Sequence, residues 1–329
     1  MRARPRKIMA VSIIIIAVLG LLTFLSPKLL AWSLSHRQNN SPVQTFQHFP
    51  VTVDPKNKLI TENDAVNAFL AEKHSLLGAA VSDSVNFMWG VFENIAITVA
   101  NLDWYDNTAS LSNRFVNISP GMRKEQVATL FGDTLKWNSK QRKEFTASST
   151  EGSFSPGLYD VNIGMSPSDI KSIIGQRFSD EVLSRYSTST QVIVPLSDAL
   201  TIASLIQRET LTTDGMRLLS GIMWNRLFSG MKLQIDSTLQ YAKANKPSTT
   251  SWWPKVVPND KYIKSPFNTY LNNGLPPSPI ASPSVAAILA ALNPVKTSCL
   301  FYFNDKNGSF HCSDTYPEHK ALISKYYGN

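Results

Sequence analysis

Residues 197–210 read Ser-Asp-Ala-Leu-Thr-Ile-Ala-Ser-Leu-Ile-Gln-Arg-Glu-Thr, and their spacing predicts a helix in the C-terminal part of the chain. A Ser-Asp pair opens it, as expected of a helix start. Ile202, Leu205, Ile206 and Glu209 follow the i, i+3, i+4, i+7 rule, so all four share one face of a helix. The stretch therefore predicts a buried helix with a carboxylate at the end of its apolar stripe.

Glu209 is the candidate for chemistry in this helix. A carboxylate on an apolar stripe loses hydration, which disfavours its charged form and raises its pKa. A carboxylic acid that is protonated near neutral pH can protonate a leaving oxygen, such as that of a glycosidic bond. The alternative, favoured by the stripe alone, is a helix-end glutamate that forms an ion pair with Arg208 or with a nearby lysine.

Further helices are predicted downstream, at residues 214–228, from Asp236 onward, at 284–292 and at 317–326. Gly230 is placed to end the first of them. Five prolines between residues 265 and 283 predict a loop with little conformational freedom, which can hold binding groups in place.

The two cysteines of the chain, Cys299 and Cys312, flank a predicted β-hairpin with the turn Asp-Lys-Asn-Gly at 305–308. The thiols are expected on neighbouring strands, where a disulfide can form in an oxidising compartment. Counting residues across the turn shows that Cys312 is about one residue pair away from the position directly opposite Cys299. Two free, partly buried thiols are therefore the alternative. The sequence predicts no metal site, because no Cys/His cluster with ligand spacing surrounds them.

Two strand-turn-helix units precede the Glu209 helix. One runs from Val-Asn-Ile at 116–118 through Ser-Pro-Gly-Met into a helix, and the other runs from Val-Asn-Ile at 161–163 through Gly-Met-Ser-Pro into a helix. The apolar helix residues are Val127, Leu130 and Phe131 in the first unit and Ile170, Ile173 and Ile174 in the second. Such units can form a small module of the type that binds glycan chains, or they are two βα units that are similar by chance.

The chain opens with a basic cluster followed by the apolar residues 8–25. Eighteen helical residues rise about 27 Å, close to the hydrocarbon thickness of a bilayer. The cluster comprises Arg2, Arg4, Arg6 and Lys7, and no such cluster follows the run, which places the N-terminus in the cytoplasm. We expect a retained transmembrane anchor. A cleaved signal peptide is the alternative, although the run is long for one and no clear Ala-x-Ala site follows.

Residues 33–60 are polar and are expected to form a tether, followed by helical patterns at 62–73 and 79–100 that carry no recognisable chemistry. Four of the 32 Lys and Arg residues precede the apolar run, so about half of the formal net charge of +8 is a topology signal. The remaining mild basicity suits an anionic envelope polymer and is too weak to indicate nucleic-acid binding.

Five ordered segments between residues 195 and 323 carry a family resemblance. They are Ala-Ser-Leu-Ile-Gln-Arg-Glu-Thr at 203–210, Trp-Asn-Arg-Leu at 224–227, Gly-Met-Lys-Leu-Gln-Ile-Asp-Ser-Thr at 230–238, Phe-Asn-Thr-Tyr at 267–270 and Gly-Leu-Pro-Pro-Ser-Pro-Ile-Ala at 274–281. Phe-Tyr-Phe at 301–303 and Glu-His at 318–319 fit the closing segment. Together they resemble the endolytic murein transglycosylases, the MltG or YceG-like family.

The resemblance implies an α+β fold with an N-terminal transmembrane helix, a small LysM-like βα subdomain and a mixed α+β YceG-like catalytic domain. The implied bounds are a cytoplasmic tail at 1–7, the transmembrane helix at 8–25, a tether and membrane-proximal helical region at 26–110, the LysM-like subdomain at 111–187 and the catalytic domain at 188–329. The protein would then cross the bacterial inner membrane once, with its N-terminus in the cytoplasm and its catalytic domain outside it.

The implied activity is cleavage of the MurNAc–GlcNAc bonds of peptidoglycan glycan strands without water, which leaves 1,6-anhydroMurNAc ends and limits or terminates nascent strands. The resemblance assigns Glu209 the position of the single catalytic acid, and no cofactor is implied. Substrate binding falls by resemblance to Asn225, Gln234, Asp236, Asn268 and Tyr270. Glycan strands are the implied partner, and cell-wall synthases are partner candidates.

Each of these assignments has an alternative. Asn225 and Asn268 can tie loops, Asp236 is a natural helix N-cap, and Glu318 is the second candidate for the acid, against a solvated first-turn residue. The protein could also be a hydrolytic muramidase with Asp236 as base or nucleophile, or a non-catalytic glycan-binding membrane scaffold.

The chain departs from the family pattern at three places. The long middle section with its Leu-Phe-Pro-Asp-Thr-Tyr signature is missing between residues 178 and 201, and Phe310 occupies a position where a histidine is usual in the family. Residues 62–110 show no resemblance that we recognise. These departures affect the expected mode of substrate binding more than the expected reaction.

Overall fold

A computed structural model of the chain describes residues 48–64, 66–67, 113–210, 212–245 and 251–328, together with scattered helical positions between 16 and 33 and between 91 and 99. The predicted anchor at 8–25 lies largely outside these residues, as do most of the tether and the helices predicted at 62–73 and 79–100. In the part of the chain that is described, no helix is long and apolar enough to span a bilayer.

The fold is mixed α+β, and its described strands form three separate two-stranded antiparallel sheets, β1–β2, β3–β4 and β5–β6. The strands are β1 (Val53–Asp54), β2 (Leu59–Ile60), β3 (Asn113–Ile118), β4 (Gly157–Asn162), β5 (Phe301–Asn304) and β6 (Phe310–Ser313). The helices are α1 (Lys124–Thr134), α2 (Ser139–Ser148), α3 (Pro167–Glu181), α4 (Thr188–Ile193), α5 (Leu196–Glu209), α6 (Thr213–Phe228), α7 (Asp236–Ala244), α8 (Val285–Leu292) and α9 (Tyr316–Tyr327).

The helix predicted at residues 197–210 is α5, and it lies in the larger of the hydrophobic cores. Its Ile202 and Ile206 are fully buried, and it packs against α8, which carries only apolar side chains. Helix α6 also packs against α8, where Trp224 donates a hydrogen bond from Nε1 to the carbonyl oxygen of Ala291 at 2.9 Å. Each large buried aliphatic side chain contributes roughly 1.5–3 kcal/mol, so this packing fixes the end of α5 in space.

A second core lies between β3, β4, α1, α2 and the first half of α3. Strands β3 and β4 pair with Val116 opposite Tyr159. The two units predicted as a repeat therefore form one subdomain with the order β3, α1, α2, β4 and α3, not two equal copies. Helix α2 has no counterpart in the prediction because its sequence is polar, with Phe145 as its buried residue.

Helix α3 contributes to both cores. Its Ile170 and Ile174 are buried in the subdomain, whereas Phe178 and the following Val182 are buried in the larger core. The change from one core to the other thus occurs within a continuous helix, ahead of the domain boundary predicted between residues 187 and 188.

The structure corrects the predicted tether at its C-terminal end. Residues 48–61 form the β1–β2 hairpin region on the larger core, with Phe49 buried there. The backbone N–H of Phe49 donates to the carbonyl oxygen of Arg185 at 2.9 Å, and that of Thr52 donates to Leu292 at 3.0 Å. The polar composition of residues 33–60 predicts a tether, whereas tertiary contacts bury the few apolar side chains at its C-terminal end.

The cysteine hairpin forms as predicted, with Tyr302 of β5 opposite Cys312 of β6. A disulfide joins Cys299 to Cys312, so the free-thiol alternative is wrong. The mismatch found by counting across the turn is accommodated because Cys299 lies before the first residue of β5, outside the paired ladder, with its Cα 5.8 Å from that of Cys312.

Candidate active site

Glu209 is the last residue of α5 and is partly buried on the face that carries Ile202 and Ile206. Burial raises the pKa of its carboxyl group, and the charge of Asp236 acts in the same direction. Hydrogen bonds from Ser237 oppose this shift because they stabilise the charged form. The net direction is upward, as the apolar stripe predicts.

The ion pair considered for Glu209 is absent among the described residues. Arg208 instead lies over the ring of Trp253, with its guanidinium carbon 3.9 Å from the ring centroid. A partly buried guanidinium can be stabilised by an aromatic face without a carboxylate. Glu209 is therefore left to other partners.

The first turn of α7 supplies two donors to Glu209. Ser237 donates from its hydroxyl at 2.9 Å and from its backbone N–H at 3.3 Å, both to Oε1. Unpaired N–H groups and the helix dipole stabilise a carboxylate at a helix N-terminus. The apolar surroundings thus favour the neutral form of Glu209, while the hydrogen bonds from α7 stabilise its carboxylate form. Glu209 can therefore both release a proton and take one up.

Tyr302 of β5 contacts the other oxygen of Glu209, donating its hydroxyl to Oε2 at 3.4 Å. Its ring is stacked on Phe310, with centroids 5.4 Å apart and planes 6° from parallel. Phe310, at the position where the family resemblance predicts a histidine, therefore packs against Tyr302. Burial, reinforced by the charge of Glu209, raises the pKa of Tyr302 well above its ordinary value, so its hydroxyl remains a donor.

Asp236 and Tyr270 form a second polar pair beside Glu209. The Tyr270 hydroxyl donates to Oδ1 of Asp236 at 2.7 Å. Burial raises the pKa of Tyr270, and the bond to Asp236 raises it further. The N-cap role considered for Asp236 is wrong, because Ile235 occupies that position and Asp236 is the first helical residue, exposed to solvent.

The segment that leads into α7 presents alternate side chains to solvent. Leu233 and Ile235 are each 1% exposed, whereas Gln234 and Asp236 are exposed. Thr269 fixes the segment, since its carbonyl oxygen accepts from the N–H of Gln234 at 3.1 Å and its hydroxyl accepts from the N–H of Ile235 at 3.0 Å. Gln234 has a φ of +50°, a left-handed conformation uncommon for residues other than glycine. Backbone strain of this kind often occurs at functional sites.

Asn268 does not face this cluster as a free side chain. It is fully buried, its amide nitrogen donates to the carbonyl oxygens of Lys261 at 3.0 Å and Ile263 at 2.8 Å, and its amide oxygen accepts from the N–H of Tyr270 at 2.9 Å. The structure favours the loop-tying alternative over direct substrate contact. Through that loop Asn268 places Tyr270.

Asn225 has a similar role in α6. Its amide nitrogen donates to the carbonyl oxygens of Thr297 at 2.7 Å and Cys299 at 3.2 Å. Both contacts hold the segment that precedes β5. Direct substrate contact by Asn225 is again the less favoured alternative.

Glu318, the second candidate acid, is exposed in the first turn of α9. Its Oε2 accepts from the N–H of Thr315 at 3.2 Å, and the two residues form a capping box. The solvated first-turn role is therefore confirmed. Across the described residues, no group of three or more His, Cys, Asp or Glu side chains is arranged to hold a metal ion.

The structure brings Glu209, Asp236 and Tyr270 together, and it adds residues that the sequence interpretation left without a role. These are Ser237, Tyr302 and Arg226, of which Arg226 donates hydrogen bonds to the carbonyl oxygens of Leu300 and Leu233 beside the site. All three lie inside the segments that carry the family resemblance. Position in those segments was the available signal. Residue type gave none, because a serine in a first helical turn, a tyrosine in a strand and an arginine in a helix are ordinary structural residues.

The model of the YceG-like family matches residues 94–325, which is more than half of the chain. The match includes the end of the region at 62–110, in which the sequence showed no resemblance. The chain belongs to the YceG-like family. A curated relative from Bacillus subtilis (strain 168), named endolytic murein transglycosylase, is 29% identical over 238 residues, covering 64% of this chain and 64% of its own length. A relative of the same name from Streptococcus pneumoniae serotype 2 (strain D39) is 31% identical over 180 residues, covering 54% of this chain and 32% of its own length. The chain thus spans less than two thirds of these relatives.

A crystal structure of a yceG-like protein from Listeria monocytogenes has the same fold. It superposes with a TM-score of 0.56 at 23% sequence identity and covers 71% of this chain and 80% of its own. At this identity the likeness establishes the fold alone.

Proposed function

We propose that this protein is a lytic transglycosylase that cleaves the MurNAc–GlcNAc bonds of peptidoglycan glycan strands. The environment of Glu209 carries the proposal, because its pKa is raised by burial while Ser237 and Tyr302 donate to its two oxygens. The names of the relatives from B. subtilis and S. pneumoniae support the same class of reaction.

One acid is sufficient for this reaction. Protonated Glu209 gives its proton to the glycosidic oxygen as the bond from that oxygen to C1 of MurNAc breaks. The resulting carboxylate accepts the proton of the MurNAc C6 hydroxyl, whose oxygen attacks C1 and closes a 1,6-anhydro ring. Glu209 is then protonated again and no water is consumed, in contrast to the paired carboxylates of ordinary glycosidases. Ser237 and Tyr302 stabilise the carboxylate between the two proton transfers.

Substrate contact falls to the exposed groups of the site. Gln234 and Asp236 project from the segment before α7 and from its first turn, and Tyr270 stands beside them. The negative charge of Asp236 suits the positive charge that develops at C1 in the transition state. Asn225 and Asn268 support the segments that carry these groups.

A hydrolytic muramidase is the second candidate, and the position of Asp236 favours it. Asp236 directly precedes Ser237, whose hydroxyl donates a hydrogen bond to Glu209. The negative charge of Asp236 raises the pKa of Glu209. A second carboxylate beside the acid could activate water. Hydrolysis leaves reducing ends, whereas transglycosylation leaves 1,6-anhydroMurNAc ends.

The subdomain at residues 111–187 is proposed as a LysM-like unit that holds the glycan strand. A groove of about 510 Å³ between α1 and α2 supports this role, and its lining includes Lys124, Lys143 and Trp252 together with one acidic residue, Glu125. Trp252 is 38% exposed and offers an apolar face to a sugar ring, and the two amines suit anionic groups of the polymer.

A single-pass anchor at residues 8–25, with the catalytic domain outside the cytoplasmic membrane, completes the proposal. The basic cluster before the apolar run sets this orientation. The Cys299–Cys312 disulfide agrees with an oxidising, extracytoplasmic location. Cell-wall synthases that produce the glycan strands are the proposed protein partners.

The deciding experiment compares the full-length protein with its Glu209→Gln variant on purified peptidoglycan, with mass spectrometry of 1,6-anhydroMurNAc ends. Glutamine cannot deliver or retrieve a proton, so turnover falls by at least ~10²-fold while binding of glycan strands persists. Activity of the unaltered protein falls as the pH rises through the raised pKa of Glu209, because the protonated form is the active one.

The matched control is Glu318→Gln, which alters an exposed helix cap and leaves activity in place. Equal yields of anhydro ends from the unaltered protein and Glu209→Gln would show that the acid has been misassigned. Reducing ends as the main product would establish the muramidase instead.

A further inference from the structure

Arg226 of α6 is a buried cation that has no acidic partner among the residues that the structure describes. It is 5% exposed. Burying a guanidinium group is costly unless its donors are satisfied. Its Nε donates to the carbonyl oxygen of Leu300 at 2.6 Å, and its Nη1 donates to those of Leu233 and Lys232. One guanidinium therefore joins two backbone segments that lie far apart in the sequence.

Each of these segments leads into a donor to Glu209. Leu300 lies two residues before Tyr302, which donates to Oε2, and Leu233 lies four residues before Ser237, which donates to Oε1. The relative position of the two segments decides whether both oxygens of the carboxyl group are contacted at once.

Arg226 is suited to this task by its shape and by its charge. A planar guanidinium presents several donors in a fixed fork, whereas the ammonium of lysine is a single nitrogen. The charge of Arg226 also acts to lower the pKa of Tyr302 and of Tyr270, although burial keeps both raised. The arginine thus lies close to the hydroxyls that contact Glu209 and Asp236.

We propose that Arg226 is the positioning residue of this site, which sets Tyr302 and Ser237 on the two oxygens of Glu209 without touching the substrate itself. The inference rests on the proposed role of Glu209 as the acid. A lysine at position 226 keeps the charge but cannot bridge Leu300 and Leu233 in the same way.

The first readout is the pH profile of kcat/KM for the release of anhydro ends. In Arg226→Lys the donors to Glu209 are loosened, so its carboxylate is less stabilised and the alkaline limb moves to higher pH. Tyr302→Phe removes the donor to Oε2 and moves the limb in the same direction. Because part of the effect of Arg226→Lys acts through Tyr302, the shift of the double variant is smaller than the sum of the two single shifts. We expect kcat of Arg226→Lys to fall roughly tenfold with KM little changed, as for a misaligned group.

The second readout does not depend on activity. Backbone hydrogen exchange of the folded full-length protein becomes faster in residues 232–238 and 297–304 of Arg226→Lys. The matched control is Arg217→Lys, because Arg217 lies on the same helix and its guanidinium donates to the carbonyl oxygen of Asn293 at 2.9 Å and to Oδ1 of Asn67 at 2.7 Å, both outside the two segments. This control leaves both the pH limb and the exchange of the two segments unchanged.

An arginine that serves only stability would give a different pattern. Arg226→Lys would then lower the melting temperature with the pH limb unmoved, or its shift would add to that of Tyr302→Phe, and either result overturns the inference. Should Arg226→Lys not fold, Arg226→Gln replaces it, with the same outcomes expected. If the unaltered protein releases no anhydro ends, the proposed function fails, while hydrogen exchange still decides the role of Arg226.

Discussion

Glu151 should make this protein less stable as the pH rises. Its side chain is 7% exposed, and its two oxygens accept the backbone N–H of Lys124 at 3.1 and 3.4 Å. Burial raises its pKa from 4.5 to about 8, and the charge of Glu125 acts in the same direction. The charges of Arg123 and Lys124 act against the shift without cancelling it. Tyr241 is the further titratable group that faces this carboxyl group.

The sign and size of the effect follow from proton linkage. Between pH 4.5 and about 8 the folded protein holds a proton on Glu151 that the unfolded chain has lost. The free energy of unfolding therefore falls as the pH rises through this window. Each pH unit corresponds to about 1.4 kcal/mol, so the loss across the whole window is on the order of 5 kcal/mol. Below the window both states are protonated, and the loss disappears.

The perturbation is Glu151→Gln, which keeps an acceptor for the N–H of Lys124 and removes the titration. Urea denaturation of the full-length protein between pH 5 and 9 is the assay. The variant should match the unaltered protein near pH 5 and exceed its stability by a few kcal/mol near pH 8 and above. Glu144→Gln, on the exposed side of α2, is the control and should follow the unaltered protein at every pH.

Parallel stability curves for Glu151→Gln and the unaltered protein would refute this reasoning. They would mean that the carboxyl group ionises in the folded state without cost. If the parallel curves are also separated by a constant loss of stability in the variant, the hydrogen bond to Lys124 needs the glutamate as well.

Two further predictions concern packing and topology. Gly221→Ala should destabilise the protein by roughly 1–3 kcal/mol or more, because the added methyl group overlaps the carbonyl oxygen of Val295. Gly175→Ala should stabilise the protein by up to about 1 kcal/mol, because the space around this position of α3 is open. Thermal unfolding compares the two variants, and equal changes would contradict the packing argument. The full-length protein should stay in the membrane fraction after high-salt washing and keep its N-terminal residues, since Arg2, Arg4, Arg6 and Lys7 precede an apolar run. A mature N-terminus beyond Leu25 would establish a cleaved signal peptide.

Elements with a strong apolar period could be predicted closely from the sequence. Helices α5, α6 and α8 begin and end within about one residue of the predicted bounds, because caps and spacing act between near neighbours in the chain. Helix α2 and residues 48–61 were not predicted, because a single buried phenylalanine in a polar helix and scattered apolar residues in a short segment give no period. Their burial depends on the surfaces against which they pack.

Residue spacing along the chain shows that Glu209 ends an apolar helix face, and the upward direction of its pKa follows from that position. Its hydrogen-bond partners could not be found in this way, because Ser237 is 28 residues and Tyr302 is 93 residues away along the chain. The tertiary structure also shows that Asn225 and Asn268 hold loops, because their amide groups donate to nearby backbone carbonyl oxygens. From the sequence alone, an amide side chain is equally suited to bind a loop or a ligand. The spacing of neighbouring residues determines local secondary structure, because those residues interact within one helix or strand. The contacts of a side chain depend instead on the packing of segments that are far apart in the sequence.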